Sequence, residues 1–489
     1  MKLARNFPYL RSCLVAALLL PVTSCKTGEE LEQDSVTREF PPDSKLSFDV
    51  EPTITCDTAP VSKTVTMIKP STGQPVSLTY KSSDEVDYLS PGWQSRIASS
   101  WDFFDEKSLG YSTNYMHVTL IDIANVNGKP HYHYFSNGMH SKPGQTVSAS
   151  KFMAASFSVQ AVRQRSGGKI GADLRYNSRV LASDLDIIGA HSNNYYANNV
   201  KGIGGRRHAD RMLKNWLYAN SGDTFGGNFG WYANGKQVPK NNDYCFDQGY
   251  PYPAEKVASL DGNGSLDLKW SSSELSYPEN GNFISGLTFT EWLKRLAVNY
   301  RDPVTLPRLV NYDSSSPLSP SALRKAPPSL TKRDIQILFY GTGAYSLAEF
   351  KERGLTGSDC GGPLGTTNST FEGKIRGGMM WDGMRDWPSN LGGSAQLTKL
   401  FGNKWRTLGK GGSSGRREVV TGYICLPKIV KNGQVVFPGK EMVAHIHHPN
   451  SPRKYSGENW TRIHEVVRKI ADVFVPGLRN GNPTVPASN

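Results

Sequence analysis

An α+β fold is predicted for this chain of 489 residues: an antiparallel sheet drawn from both chain ends, with an all-helical insert between them. Three observations predict it. Apolar alternation punctuated by turn residues marks the early chain and the last third as strand-rich. Helical spacing dominates the middle. A final amphipathic segment, "ENWTRIHEVVRKIADVF", follows the last strand pattern. The chain exceeds what one hydrophobic core needs, and it shows no internal repeat.

The chain start reads as a targeting signal. Lys2, Arg5 and Arg11 form a basic n-region, and "CLVAALLLPV" is too short to span a bilayer. Val22-Thr23-Ser24-Cys25 resembles a bacterial lipobox, which makes Cys25 the lipidated residue and the membrane a partner through that anchor; a plain cleaved signal is the other reading. Either one exports the protein and divides it into a signal at 1–24 and a polar, acidic tether at 25–45. The formal charge of +13, less the three bases of the signal, leaves +10. That excess favours anionic surroundings such as cell-wall polymers or acidic headgroups. Nucleic acid is excluded as a partner: the bases are scattered and no nucleic-acid motif occurs. Beyond the signal and lipid cysteines, Cys56, Cys245, Cys360 and Cys425 permit two disulfides in three connectivities, or remain buried free thiols.

Each element follows in order. Residues 46–94 form a strand-rich extension, with short strands in "KTVTMIKP" and "PVSLTYK". A helix is expected near "GWQSRIASSWDFFDEK". "MHVTLIDIANVNGKPHYHYF" reads as a hairpin turning at Asn127-Gly128. After a break at Pro143-Gly144, helical patterning runs from Ser148 through "ASKFMAASFSVQAVRQR". Further helices are expected in "RVLASDLDIIGA", "YYANNVKGI", "RRHADRMLKNWLYAN", "LTFTEWLKRLAVNY" and "TKRDIQILFYG". Long irregular insertions occupy 221–282 and 302–370. Strands return in "KWRTLGKGG", "REVVTGYICLPKIV" and "KEMVAHIHHP", and the main domain runs from 95 to 475 before a tail at 476–489.

Four serines stand three residues before a lysine: Ser148, Ser166, Ser329 and Ser451. Ser166 lies in a Gly-Gly loop, Ser329 near a Pro pair and Ser451 after "HHPN", whereas Ser148 opens a helical pattern. At i+3 on a helix, Ser148 and Lys151 share a face. A buried amine there has its pKa lowered toward that of a base, and a helix start offers free N–H groups to a developing oxyanion. Downstream, Ser192-Asn193-Asn194 supplies a hydroxyl for proton relay and an amide for a substrate amide. Lys410-Gly411-Gly412, at the end of a strand pattern, supplies a cation and close access to backbone.

Ser-x-x-Lys, then Ser-x-Asn, then Lys-x-Gly, in that order, resembles the signature of serine β-lactamases and penicillin-binding proteins. The resemblance extends from about residue 95 to 475 and, in the Ser-x-Asn motif, is most similar to class A β-lactamases. It implies a β-lactamase/transpeptidase-like fold and a serine hydrolase. In that scheme Lys151 deprotonates Ser148, which attacks a β-lactam or the D-alanyl carbonyl of a peptidoglycan stem peptide. The N–H groups of Ser148 and Ser413 hold the oxyanion, and Ser192 passes the proton to the leaving nitrogen. Asn194 holds the acyl side chain, Lys410 attracts the substrate carboxylate and Gly412 admits the substrate beside the strand. No cofactor is implied.

Two departures stand out. Gly411 replaces the threonine of the third motif, leaving Ser413 or Ser414 to compensate for its hydroxyl. Class A enzymes also carry a glutamate that activates the deacylating water, for which Glu279 in "SYPENGNF" is the candidate; a plain surface loop is the other reading of that segment. Without such a base the acyl-enzyme persists. β-Lactam hydrolysis is the expected activity, with a D-Ala-D-Ala carboxypeptidase or transpeptidase, a catalytically silent cell-wall-binding protein, and an esterase as alternatives. His131-x-His133 and His445-x-His447 have the spacing of metal pairs, but no Asp or Cys partner completes a site, and ordinary strand histidines are expected.

Overall fold

The computed structural model describes residues 55–484 apart from 167, 177–178, 193, 205, 218, 226–228, 230–231, 234–235, 238–281, 303–329, 342–344, 347–369, 372–373, 376–377, 415–416 and 450–456. The described elements begin with a hairpin of β1 (Thr64–Ile68) and β2 (Pro75–Thr79), then α1 (Ser83–Val86), β3 (Ser99–Ser100), α2 (Glu106–Leu109), β4 (His117–Val126), β5 (Lys129–Ser136) and β6 (Pro143–Gln145). The helical stretch holds α3 (Lys151–Arg165), α4 (Leu181–His191), α5 (Asn194–Gly204) and α6 (Arg206–Trp216), with the short pair β7 (Arg175–Tyr176) and β8 (Arg179–Val180) ahead of α4. Next come β9 (Thr224–Phe225), β10 (Tyr232–Ala233), β11 (Lys236–Gln237), β12 (Asn282–Ser285), α7 (Gly286–Val298) and α8 (Lys332–Tyr340). Three short strands, β13 (Tyr345–Ser346), β14 (Thr370–Phe371) and β15 (Lys374–Ile375), precede α9 (Gly378–Asp386) and α10 (Ser394–Phe401). The chain closes with β16 (Arg406–Ser414), β17 (Arg417–Leu426), β18 (Ile429–Lys431), β19 (Gln434–Phe437), β20 (Lys440–His448) and α11 (Gly457–Phe474).

The main sheet has the order β16-β17-β20-β4-β5-β3, antiparallel except where β3 joins β5 in parallel. Its three N-terminal and three C-terminal strands meet where β20 pairs with β4, so the sheet is drawn from both chain ends. The fold is α+β. The two faces bury different cores. Ile121, Ile123, Tyr134, Val419, Tyr423 and Val443 pack with α3 and α7, whereas Leu120, Phe135, Val420, Ile424, Ala444 and Ile446 pack with Ile463, Val467, Ile470 and Phe474 of α11. This period-two division explains why β4, β17 and β20 read as nearly continuous apolar runs: both faces are covered.

The β4–β5 hairpin turns at Asn127 (φ 52°) and Gly128 (φ 81°), the two left-handed residues that a type I′ turn needs. The helix expected over 92–107 does not form as one unit. The segment holds a 3₁₀ turn at Trp93–Ser95, β3 and α2, because its aromatics go to different places: Trp93 joins the core with α3 and α7, and Phe103 and Phe104 join the core under α11. Cys56 bridges Cys425, fastening the start of the described chain to β17; Cys245 and Cys360 lie outside the described residues.

Two polar assemblies are buried within this frame. Glu291 of α7 pairs with Lys294 and Arg295, each at 2.8 Å, and accepts from Tyr134 Oη at 2.6 Å. Burial pushes the Glu291 carboxyl up, but the two cations outweigh that and hold it below the ordinary range. Arg295 also donates to the Trp216 and Tyr88 carbonyls, so one charge cluster pins α7 to the end of α6 and to the segment carrying Tyr88. The second assembly is a polar row across the sheet face toward α7. Lys410, Thr421, His445 and Thr119 are successive cross-strand partners, and His447 pairs with His117 in the adjacent row. All six are buried. Burial lowers His445 to about 3 and His117 to about 4 from an ordinary value of 6.5, and depresses His447 well below it; neighbouring imidazoles add to each shift, and Lys142 adds to that of His117.

Replacing Glu291 by Gln leaves two buried cations without their carboxylate, and chemical denaturation is expected to show a loss of about 3–5 kcal/mol. The histidines predict an acid-labile fold. Their folded pKa values lie below the unfolded one, so unfolding takes up protons between pH 6.5 and the folded values. The stability is fully present above pH 6.5 and is lost as pH falls. Urea unfolding between pH 6.5 and 5.0 should lose up to about 1.4 kcal/mol per pH unit for each such histidine. His447→Gln should flatten the slope by one proton's worth.

Candidate active site

The site is built around the turn that joins β6 to α3. β12 pairs with both β6 and β9, and this small sheet delivers the chain to the turn: the Thr146 N–H donates to the Asn282 carbonyl at 3.0 Å. Val147 then takes a φ of 41°, a left-handed conformation that β-branched residues rarely enter. Such strain persists only where the surroundings over-determine the backbone. A 3₁₀ turn over Val147–Ser150 runs directly into α3 at Lys151. The sequence predicts an α-helix from Ser148; the structure places the serine one turn earlier, in 3₁₀ geometry. Residues three apart eclipse in that geometry, so Ser148 and Lys151 still lie on one side. Ser148 is half-buried and Lys151 is buried.

Lys151 Nζ donates to Ser192 Oγ at 3.1 Å and also to the Ser192 carbonyl. Ser192 sits between α4 and α5 with a φ of 51°, a second left-handed non-glycine residue, and this turn aims both of its oxygens at the lysine. Asn194 opens α5; its side chain, like Asn193, lies outside the described residues. Glu279 lies outside them too.

The third motif lies on β16, the outermost strand of the sheet. Strand alternation puts Lys410 and Gly412 on the same face as Val419 and Thr421, the face toward α3. A Cβ added to Gly412 would stand 2.9 Å from the Ser148 nitrogen and 2.7 Å from the Ala149 nitrogen. Only a residue without one lets the strand lie against the Ser148 turn. Lys410 is buried two positions earlier, with Nζ donating to the Gly411 carbonyl at 3.1 Å. Ser413 follows on the same outer strand and is exposed.

Several residues at the site are not evident from the sequence motifs. Lys201, seven positions after Asn194 and so on the same side of α5, is buried with Nζ donating to Asn282 Oδ1 at 3.1 Å. It stands over the Phe225 ring at 4.4 Å and the Phe229 ring at 5.5 Å, while Lys151 lies 5.8 Å from Phe229. Asn282 therefore connects the second-motif helix to the nucleophile turn through one side chain and one carbonyl. The seven-residue spacing is the signal that could have found Lys201. Nothing local to "GNFIS" marks Asn282.

No family model and no curated relative matches the chain. Among solved structures it is similar to the TLA-1 extended-spectrum β-lactamase, at 11% identity and a TM-score of 0.35 over 75% of this chain and 95% of that one. It is also similar to PBP-A, at 13% identity and a TM-score of 0.33 over 74% and 90% of the two chains. A class A β-lactamase from Mycobacterium abscessus matches at 12% identity and 0.31 over 73% and 93%. At such identities and scores the likeness is no ground for an activity. The chain's own geometry is a sheet closed between both chain ends, a helical insert between them, and an outer strand lying on the Ser148 turn. This is the α+β arrangement of the β-lactamase/transpeptidase-like fold that the resemblance of the three motifs implies.

Proposed function

We propose that the protein is a serine acyl-enzyme that opens β-lactam amide bonds through Ser148. One observation carries the reading: Lys151, three residues after Ser148, is buried and hydrogen-bonded to Ser192 of the second motif, while Gly412 of the third lies against the Ser148 amide. The three motifs, far apart in sequence, meet at one turn.

The chemistry derives from that arrangement. The Ser148 hydroxyl gives its proton to the neutral Lys151 amine as its oxygen bonds to the lactam carbonyl carbon. The oxyanion so formed is held by the N–H groups of Ser148 and Ser413, donors fixed by the turn and by β16. As the carbon–nitrogen bond breaks, Ser192 gives its hydroxyl proton to the leaving nitrogen and recovers one from the Lys151 ammonium. Lys410 attracts the substrate carboxylate, and Ser413, exposed beside Gly411, supplies the hydroxyl that the glycine lacks. Water then releases the acid and frees Ser148, with Glu279 as the proposed base. The place of β16 as the outermost strand among the described residues favours a second reading. An extended substrate strand laid beside Ser413 suits a D-alanyl stem peptide as the acylating substrate. The motif at Cys25 fits a lipid anchor that would hold this chemistry at an exported membrane face.

Intact-protein mass spectrometry after brief penicillin exposure should show one adduct, on Ser148, and none on Ser148→Ala. Lys151→Ala should slow adduct formation by about 10²–10⁴-fold while leaving the protein folded. Label retained by Ser148→Ala sinks the assignment. Rapid loss of the adduct supports a hydrolase, and a stable adduct supports the peptidase.

A further inference from the structure

The sheet face under the nucleophile turn carries imidazoles where a core ordinarily carries aliphatic side chains. Among the described residues no group of His, Cys, Asp and Glu converges as a metal site would, so these rings need another account. Their contacts supply one. Gly144 of β6 lies directly on His447: a Cβ there would stand 1.9 Å from Cε1 and 2.3 Å from Nδ1. Gly286, the first residue of α7, lies on Thr119 and on His445, with a Cβ 3.3 Å from Cδ2. These glycines belong to the two segments whose pairing, Ile284 with Gly144 and Ser285 with Pro143, carries Thr146 onto Asn282. His445 Nδ1 shares a 2.8 Å hydrogen bond with Thr421 Oγ1, and Thr421 is the cross-strand partner of Lys410. Directly opposed antiparallel side chains on one face lie about 5 Å apart at Cβ.

We propose that His447 and His445 are positioning residues: His447 sets the height of the nucleophile turn through Gly144, and His445 holds the place of Lys410 through Thr421. The inference rests on Ser148 being the nucleophile. The arrangement needs neutral rings. His117 from β4, Arg417 from β17 and His448 at the end of β20 act on His447, His117 acts on His445 as well, and Phe289 of α7 stacks on His445 at 5.0 Å. Each titratable neighbour named is a base, so a proton on either ring is repelled. A neutral imidazole offers what an aliphatic side chain cannot, a flat ring thin enough for backbone to lie on and a nitrogen for the Thr421 hydroxyl.

The test is a pair of cycles on the full-length protein. Stopped-flow with a fluorescent penicillin separates non-covalent affinity from the acylation rate constant, and hydrogen exchange reads the amides of residues 144–149. Gly144→Ala should lower the acylation rate constant about 10–100-fold with affinity nearly unchanged, because it lifts the turn, and should speed exchange at Thr146. Adding His447→Ala removes the obstructing ring and should recover most of both. If Gly144→Ala alone fails to fold, recovery of folding and acylation in the double variant supports the role of His447 equally, and a double variant that also fails to fold overturns it. Thr421→Val and His445→Phe should show the opposite split, weaker affinity with the rate constant retained. A double variant as slow and as exchange-labile as Gly144→Ala overturns the role of His447, and unchanged affinity in Thr421→Val overturns that of His445. A wild-type protein that never acylates at Ser148 defeats the proposed function and the role given to His445, while the exchange arm still decides whether His447 sets the turn.

Discussion

The approach of β16 to the Ser148 turn, with Gly412 lying on the amides of Ser148 and Ala149, is the constraint on which the rest of the site depends. Side-chain chemistry alone does not make this site. It requires a sheet edge and a strained turn at backbone contact distance, and each must be held independently. The edge is held through β17 and β20 to the N-terminal strand β4, and by the Cys56–Cys425 bridge that fastens the start of the described chain to β17. The turn is held by β6 and β12 from below and by α3 behind. Val147 and Ser192, both left-handed without being glycine, lie where these supports converge. Strain of this kind costs about 1–3 kcal/mol per residue and survives only in a frame that leaves no alternative.

Much of that frame is legible in the sequence, for reasons that differ by element. The β4–β5 hairpin declares itself because Asn127-Gly128 is a turn that few other dipeptides make. α7 and α11 show helical periodicity, and β17 and β20 show the apolar runs of strands covered on both faces. The Ser148–Lys151 and Lys410–Gly412 spacings are legible because i+3 and i+2 are local relations. The segment at 92–107 misleads because its aromatics, helically spaced in sequence, serve two different cores. α9 and α10 give no clear signal in a region rich in glycine, where Gly383 is needed for packing: a Cβ there would lie 2.2 Å from the Thr407 carbonyl oxygen. Packing of that kind overrides propensity.

Cross-strand relations leave no trace at all. His445-x-His447 shows two imidazoles on one face of one strand, which invites a metal reading. The partners that explain them, Thr421 on one side and His117 and Gly144 on others, belong to β17, β4 and β6. Register decides who faces whom, and register is set by the whole sheet rather than by any window of sequence. The same holds for Asn282, whose carbonyl and side chain serve two different elements.

On the proposed reading, the two halves of an acyl-enzyme cycle draw on different parts of this chain. Attack needs the turn, the α4–α5 junction and the outer strand, all of which belong to the frame. Release needs a water and a base, for which Glu279, in the chain between β9 and β12, is the proposed residue. Both ends of the chain between β9 and β12 are clamped beside the Ser148 turn: Phe225 pairs with Asn282, Asp223 accepts from the Ser285 N–H at 2.7 Å, and Lys201 grips the Asn282 side chain. On that reading acylation and release are separable, and Glu279→Gln should alter how long the acyl group stays without altering how fast it arrives.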